Sequence, residues 1–430
     1  MRQEARIGRG SPRVNHQKVV VFSVSVHREV LAWIWSDGLW KVRLKYDHSP
    51  FATSAFCHPG MLPAWPGIVQ SEELSCSPSS IRAFEFIQAR LRDCDANHPC
   101  CSKGSSSDLP TRLIDVGITG SEVTDHVRLV ETSSLPSTAH ATHIALSYCW
   151  GTGQSVTAAS NNYEAMKQGF LASTLPQTIR DAITVTQKLG QQNLWIDALC
   201  IIQDSSSDWE LESTKMASIY RNAHITIAAG IAVDASEGFL ESRQHMAAQP
   251  KSVYCCEWDV SINTDEHSTK SYKTMLAARV IPPISYHKVY MIENGLPLNT
   301  RGWAMQEKIL SKRVVTYTAH ELQWTCHLLS TCECGYLSHS VDLGQTISVN
   351  SISNRREAFF EWAKIIEAYS GQSLTYREDK LPAISGVAQA LQSIIQSPYL
   401  GGHWLSYLPE EIAWSARPSH FEHSDQVEGD

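Results

Sequence analysis

Between His143 and Ala229 the chain reads HIALSYCW (143–150), LPQTIRDAITVTQKLG (175–190), NLWIDALCII (193–202) and HITIAA (224–229). The first block is a short, almost wholly apolar run stopped by Gly151 and Gly153, which predicts a buried strand. In the second, Ile179, Ala182, Ile183 and Thr186 recur on one helical face. Pro176 near the first turn and Gly190 past the last bound it as an amphipathic helix. The third block reads as a second hydrophobic strand. Ser207, with Glu210 three residues later, predicts a capping box that opens a helix carrying Met216, Ile219, Tyr220 and Ala223. HITIAA is a third strand. Strand–helix–strand–helix–strand with short connections predicts an α/β fold, a parallel sheet flanked by helices.

Working outward, residues 1–78 carry Trp, Pro and His without period and read as an unassignable N-terminal arm. Residues 79–140 form a lead-in with a helical pattern (IRAFEFIQARLRDC), the cysteine-bearing CDANHPCC, a Ser-rich link and two short strands, TRLIDVG and HVRLVET. The core spans 141–330, broken by an aperiodic insertion over 231–298 that is expected to lie over one end of the sheet. Within it, TRGWAMQEKILSKRVVTYT predicts a short helix followed by a strand. Residues 331–430 read as a helical C-terminal region with a polar tail, because NRREAFFEWAKIIEAYS and LPAISGVAQALQSIIQ both show 3.6-residue apolar spacing.

Composition narrows the function. The 430 residues carry a net charge of −8, which argues against a general nucleic-acid binder, since phosphate contacts need clustered Lys and Arg. No window offers the ~20 apolar residues of a membrane span. The opening is basic and polar, and Glu4 argues against a transit peptide. A cytoplasmic protein with reduced thiols is therefore expected, despite 12 cysteines.

Three blocks, HIALSYCWG, NLWIDALCIIQD…DWELESTKMASIYRNAHITIAA and LNTRGWAMQEKILSKRV, together resemble the heterokaryon-incompatibility (HET) domain of filamentous fungi. CDANHPCC followed by LPTRLIDV resembles that family's lead-in, and WAKIIEAYSGQSLTYREDKLPAISGVAQ resembles the helical segment that follows it. The resemblance implies a TIR-like, flavodoxin-like core and a role in non-self recognition that ends in regulated cell death. Its partners would be a second copy or another incompatibility or signalling protein. The chain stops soon after IAWSARP, where relatives of this type continue into a β-rich stretch. A diverged, accessory role, for example in specialised metabolism, is the reading that this departure suggests.

Some TIR domains cleave NAD at the nicotinamide–ribose bond with a helix glutamate near a tryptophan. GWAMQE presents Glu307 and Trp303 in that style, with the spacing changed by one. Glycoside hydrolysis ordinarily takes two carboxyl groups. Nicotinamide leaves as a neutral molecule, so one carboxylate facing the developing positive charge could suffice. The resemblance thus implies Glu307 as catalytic and NAD or NADP as substrate, with no resident cofactor. Tyr148, Trp150, Gly151, Asp197 and Trp303 would shape the pocket at the carboxyl ends of the strands.

Structural roles compete with each assignment. Glu307 could be a helix-surface carboxylate paired with Arg301 or Lys308, Asp197 could cap a turn, and the tryptophans could be packing residues. Gly151–Thr152–Gly153 lacks the third glycine of a dinucleotide fingerprint, where Val156 stands, and there is no P-loop. HELQW (320–324) has Trp324 in place of the second histidine of a zincin. Cys94, His98, Cys100 and Cys101 form one possible ligand set, and Cys326, His327, Cys332 and Cys334 a second. Neither has paired C-x-x-C spacing, so thiols and no metal are expected. Cys200, flanked by Leu199, Ile201 and Ile202, reads as a core thiol rather than a nucleophile.

Overall fold

A computed structural model describes side chains for residues 74–413, except 102–108, 118–123, 136–141, 152–155, 242, 244–294, 335–351 and 353. It also describes backbone pairing for strands before residue 71, for 118–119 with 122–123 and for 253–265 with 268–281. The Ser-rich link, Gly153 and the polar tail lie outside the described residues.

The lead-in helix α1 (Ile81–Asn97) is opened by Ser80, whose hydroxyl accepts from Ala83 N at 3.2 Å. Two strands follow, β1 (Arg112–Asp115) and β2 (His126–Glu131). The core then runs β3 (Ile144–Ser147), α2 (Gln177–Lys188), β4 (Asn193–Trp195), α3 (Ser206–Asn222) and β5 (Ile225–Ala228). After the insertion come α4 (Gly302–Leu310), β6 (Arg313–Tyr317), β7 (Leu322–Cys326) and β8 (Ser330–Cys332). These strands build one nine-stranded sheet in the order Phe170–Leu171, β2, β1, β4, β3, β5, β6, β7, β8.

The pairs β4–β3, β3–β5 and β5–β6 are parallel, and every other pair in this sheet is antiparallel. The expected parallel sheet is thus the centre of a mixed one, widened by antiparallel strands on both sides. Numbered along the chain, the four parallel strands stand in the order 2-1-3-4, the doubly wound arrangement in which the winding reverses beside the first strand. The right-handed rule for parallel crossovers assigns α2 to one face and α3 and α4 to the other, and α3 and α4 do pack against each other. A buried ion pair fastens the antiparallel flank to that second layer. Arg112 on β1 meets Asp208 of α3 at 2.6 Å and Glu212 at 3.7 Å.

Three sequence expectations change. NLWIDALCII is a strand only to Trp195; from Asp197 to Cys200 it coils into one helical turn, in which the Asp197 carboxylate accepts the Ala198 amide at 2.7 Å. The capping residue of α3 is Ser205, not Ser207, and its hydroxyl accepts from Asp208 N at 3.3 Å. The N-terminal arm and the insertion, both read as lacking clean elements, contribute strands to one seven-stranded sheet. Within it Val253–Asp265 and Ser268–Ile281 pair as a long hairpin, and Ser268–Ile281 pairs with Ala52–Cys57.

The start of the insertion, as far as Leu240, meets α2 and the turn after β3. Phe239 and Leu240 donate their amides to the Asp181 carboxylate of α2 at 2.7 and 2.9 Å. Gly151, at φ +77°, lets the turn after β3 pass so close to Asp234 that an added Cβ would stand 2.2 Å from its Cβ. The C-terminal helices α5 (Arg355–Ser370) and α6 (Pro382–Ile395) form a separate apolar cluster around Trp362, Ile365, Leu391 and Trp404. Ile309 and Leu310 of α4 belong to that cluster, so α4 is shared between the sheet layer and the helical region.

Candidate active site

At the carboxyl end of β3 the chain leaves the sheet through Ser147, Tyr148, Cys149 and Trp150. At the end of the neighbouring β4 stands Asp197. The Trp150 indole donates to Asp197 Oδ2 at 2.8 Å, so the two turns meet at one rim, as expected. Asp197 thus holds a rim tryptophan through one carboxylate oxygen and accepts the amide of Ala198 through the other, while the turn it belongs to has Ile196 as its cap and no side-chain cap bond. Burial pushes its carboxyl above the usual range, with Arg301 opposing the rise. Gly151 is exposed at the outer edge of this rim. Trp195 is fully buried in edge-to-face contact with Tyr220, centroids 5.6 Å apart, and is a packing residue. Cys200 is buried in the core as expected.

Glu307 lies inside the molecule, only 2 % exposed, which corrects the helix-surface alternative. Its position on α4 turns it toward the end of β3, under the Tyr148 corner. Burial pushes its carboxyl up to about 7, opposed by the Arg301 guanidinium and the nearby Ser147 and Tyr220 hydroxyls. Tyr220 spends its own proton on the Leu146 carbonyl at 2.9 Å. Glu307 Oε2, Ser147 Oγ and Tyr148 Oη have no hydrogen-bond partner of good geometry among the described residues. Orphaned polar atoms gathered around an enclosed carboxyl are costly, and such costs concentrate at functional sites.

Arg301 ties the group together. Its guanidinium donates to the Tyr148 carbonyl. Burial works against its charge, but Glu307 and Asp197 more than restore it. Lys308, one residue beyond Glu307, is also buried; it donates to Asn299 Oδ1, and burial pulls its ammonium down to about 8.

Trp303 is not where its spacing suggested. Its indole donates to Asp379 Oδ2 of the C-terminal region at 3.0 Å. It lines a cleft of about 210 Å³ with Arg301, Gly302, Ser373, Leu374, Thr375 and Asp379. Arg301 is the residue common to this cleft and to the enclosed carboxylates. Sequence reading named Arg301 only as a surface partner and passed over Ser147 and Tyr220. Position at a strand end was the one signal for Ser147, and none pointed to Tyr220 beyond its helical spacing.

Residues 143–307 match the family model described as Heterokaryon incompatibility protein (HET). The chain carries a HET domain. The matched segment begins at the foot of β3 and ends on Glu307 itself, so the HET domain holds both walls of the enclosed site. No curated protein and no solved structure shows a significant match to this chain. Among the described residues, no helix is long and apolar enough to cross a membrane.

Proposed function

We propose that this HET-domain protein is a regulated cell-death effector of non-self recognition that consumes NAD or NADP by hydrolysis at the nicotinamide–ribose bond. The observation that carries the reading is Glu307: an enclosed carboxyl beside Arg301, Asp197 and Tyr148, near the carboxyl ends of parallel strands where the winding reverses. Ligands of doubly wound sheets bind at that place, and a carboxyl held near neutrality is suited to the chemistry. Ionised, Glu307 would face the positive charge that develops on the ribose as neutral nicotinamide departs, and would orient the ribose hydroxyls. Arg301 would keep it ionised. Tyr148, Trp150, Gly151 and Asp197 would shape the rim, while Trp303 would act from the adjoining cleft.

Enclosure also fits the word regulated. At 2 % exposure Glu307 meets no substrate until Arg301, or the helical region against the cleft, shifts. A toxic activity held shut until assembly is what an incompatibility effector requires.

Incubating the purified full-length protein with NAD or NADP, with and without conditions that drive self-association, should release nicotinamide. Glu307→Gln should lower the release by at least about 100-fold, the scale of losing a transition-state electrostatic contact. Equal release by both proteins rejects the assignment. The same enclosure favours a second reading, in which the site is a polar knot that rigidifies a non-catalytic self-association module. There, Glu307→Gln expressed in cells would leave toxicity intact.

A further inference from the structure

Three side chains of the lead-in and one from more than two hundred residues later converge where the lead-in meets the sheet. Cys94 lies in the last turn of α1, His98 is its C-cap, Cys101 follows in the next helical turn, and Cys326 ends β7. Their sulfur and ring-nitrogen atoms all lie within 4.8 Å of one another, and all four residues are buried. The fold thus regroups the cysteines into a set that neither local cluster contained. Cys100 is left half-buried outside it, and Cys326 crosses from the second sequence cluster to complete the first.

Local geometry explains the convergence. Cys94 and His98 are four residues apart and share one helical face. The His98 amide closes on Cys94 O at 3.2 Å, and the Cys101 amide on His98 O at 2.9 Å, which folds the third ligand back toward the first two. His98 Nδ1 then stands 3.4 Å from Cys326 Sγ. A tetrahedral ion bound at ~2.3 Å to sulfur and ~2.1 Å to nitrogen has ligand–ligand edges of about 3.6–3.8 Å. The side chains already stand close to such a tetrahedron.

We propose that Cys94, His98, Cys101 and Cys326 bind one zinc ion that clamps the lead-in helix to the sheet. Thiolate sulfur with imidazole nitrogen in fourfold array selects zinc over oxygen-seeking cations. Four protein ligands, all buried, leave no position for water or substrate, so the site is structural. Its surroundings fit the charge. Three thiolates on a divalent ion leave a net negative charge, and Arg313 Nε donates to Cys94 Sγ at 3.3 Å while its Nη2 pairs with Asp95. The neighbouring group Glu321, Cys332 and Cys334 makes a weaker case. It offers three donors, its sulfurs are 3.1 Å apart, and Glu321 already accepts the Cys334 amide at 2.8 Å.

Full-length protein purified under reducing conditions without chelator should carry about one zinc per chain by elemental analysis. Grown on cobalt, it should show the thiolate-to-metal charge-transfer and ligand-field bands of a tetrahedral site. Cys326→Ser should remove that metal, His98→Cys should retain it as a four-cysteine site, and Cys76→Ser, remote and exposed, should change nothing. If Cys326→Ser fails to fold, the cobalt spectrum of the unmodified chain and the metal content of His98→Cys decide instead. Substoichiometric zinc in zinc-supplemented expression, unchanged zinc in Cys326→Ser, or a Cys94–Cys326 disulfide in peptide mapping would overturn the proposal.

Discussion

Glu307 carries a proton cost that can be measured without any substrate. Its carboxyl sits at about 7 in the folded protein against an ordinary 4.5, because it is buried. The folded state therefore holds that proton more tightly than the unfolded chain does. Its stabilising contribution is complete below about pH 4.5 and is lost as pH rises through about 7. A shift of this size is worth roughly 3 kcal/mol. Denaturant unfolding of the unmodified protein should accordingly lose up to about 3 kcal/mol relative to Glu307→Gln between pH 4.5 and 8, in buffers where both fold. Parallel curves would mean the group is not enclosed. Arg301→Ala, which removes the cation opposing the shift, should move the transition to higher pH. If the proposed hydrolysis holds, nicotinamide release should rise with pH through about 7, since the ionised carboxylate is the working form.

The same residue shows what spacing can and cannot tell. Trp303 and Glu307 do share a helical face, but four residues also advance about 6 Å along the axis. That step carries one side chain into the cleft beside Asp379 and the other under the sheet end. Periodicity gives direction around a helix. It does not give depth.

Among the elements, the strands were legible because their runs are short and largely apolar: Ile144–Ser147 and Ile225–Ala228 are buried at every position. The short helical turn at Asp197–Cys200 was not, since ALCII is equally apolar and carries no local signal that separates strand from helix. The start of α3 was misplaced by two residues because Ser205, Ser206 and Ser207 offer the same hydroxyl; only the bond to Asp208 N selects Ser205. Ser205→Ala should cost about 1 kcal/mol in a thermal or denaturant melt, and Ser207→Ala only a few tenths. The reverse order would restore the capping box read from the sequence.

At the scale of the whole molecule, one of the close approaches that hold the C-terminal helices against the HET domain is made by Gly386. The Gly386 amide of α6 donates to Gln306 Oε1 of α4 at 2.7 Å. A Cβ added at Gly386 would stand 2.5 Å from Ala217 Cβ of α3 and 2.7 Å from Gln306 Oε1. Gly386→Ala should therefore force the helical region off α3 and α4, costing about 1–3 kcal/mol and exposing the 355–395 segment to limited proteolysis. Unaltered melting and protease resistance would show that the region does not bear on the domain there. None of this was visible in the sequence, where Gly386 is one unremarkable small residue within a well-formed apolar repeat.

The boundaries of the family match have a practical corollary. Cutting the gene at 143 and 307 would strip β6 from one side of the parallel strands and β1 from the other. The freed borders of β4 and β5 would present naked amides and carbonyls along largely apolar ribbons, an invitation to intermolecular pairing. A soluble graft of this module would have to carry its flanks, from the lead-in helix at Ile81 to at least Cys334, whatever chemistry it is asked to perform.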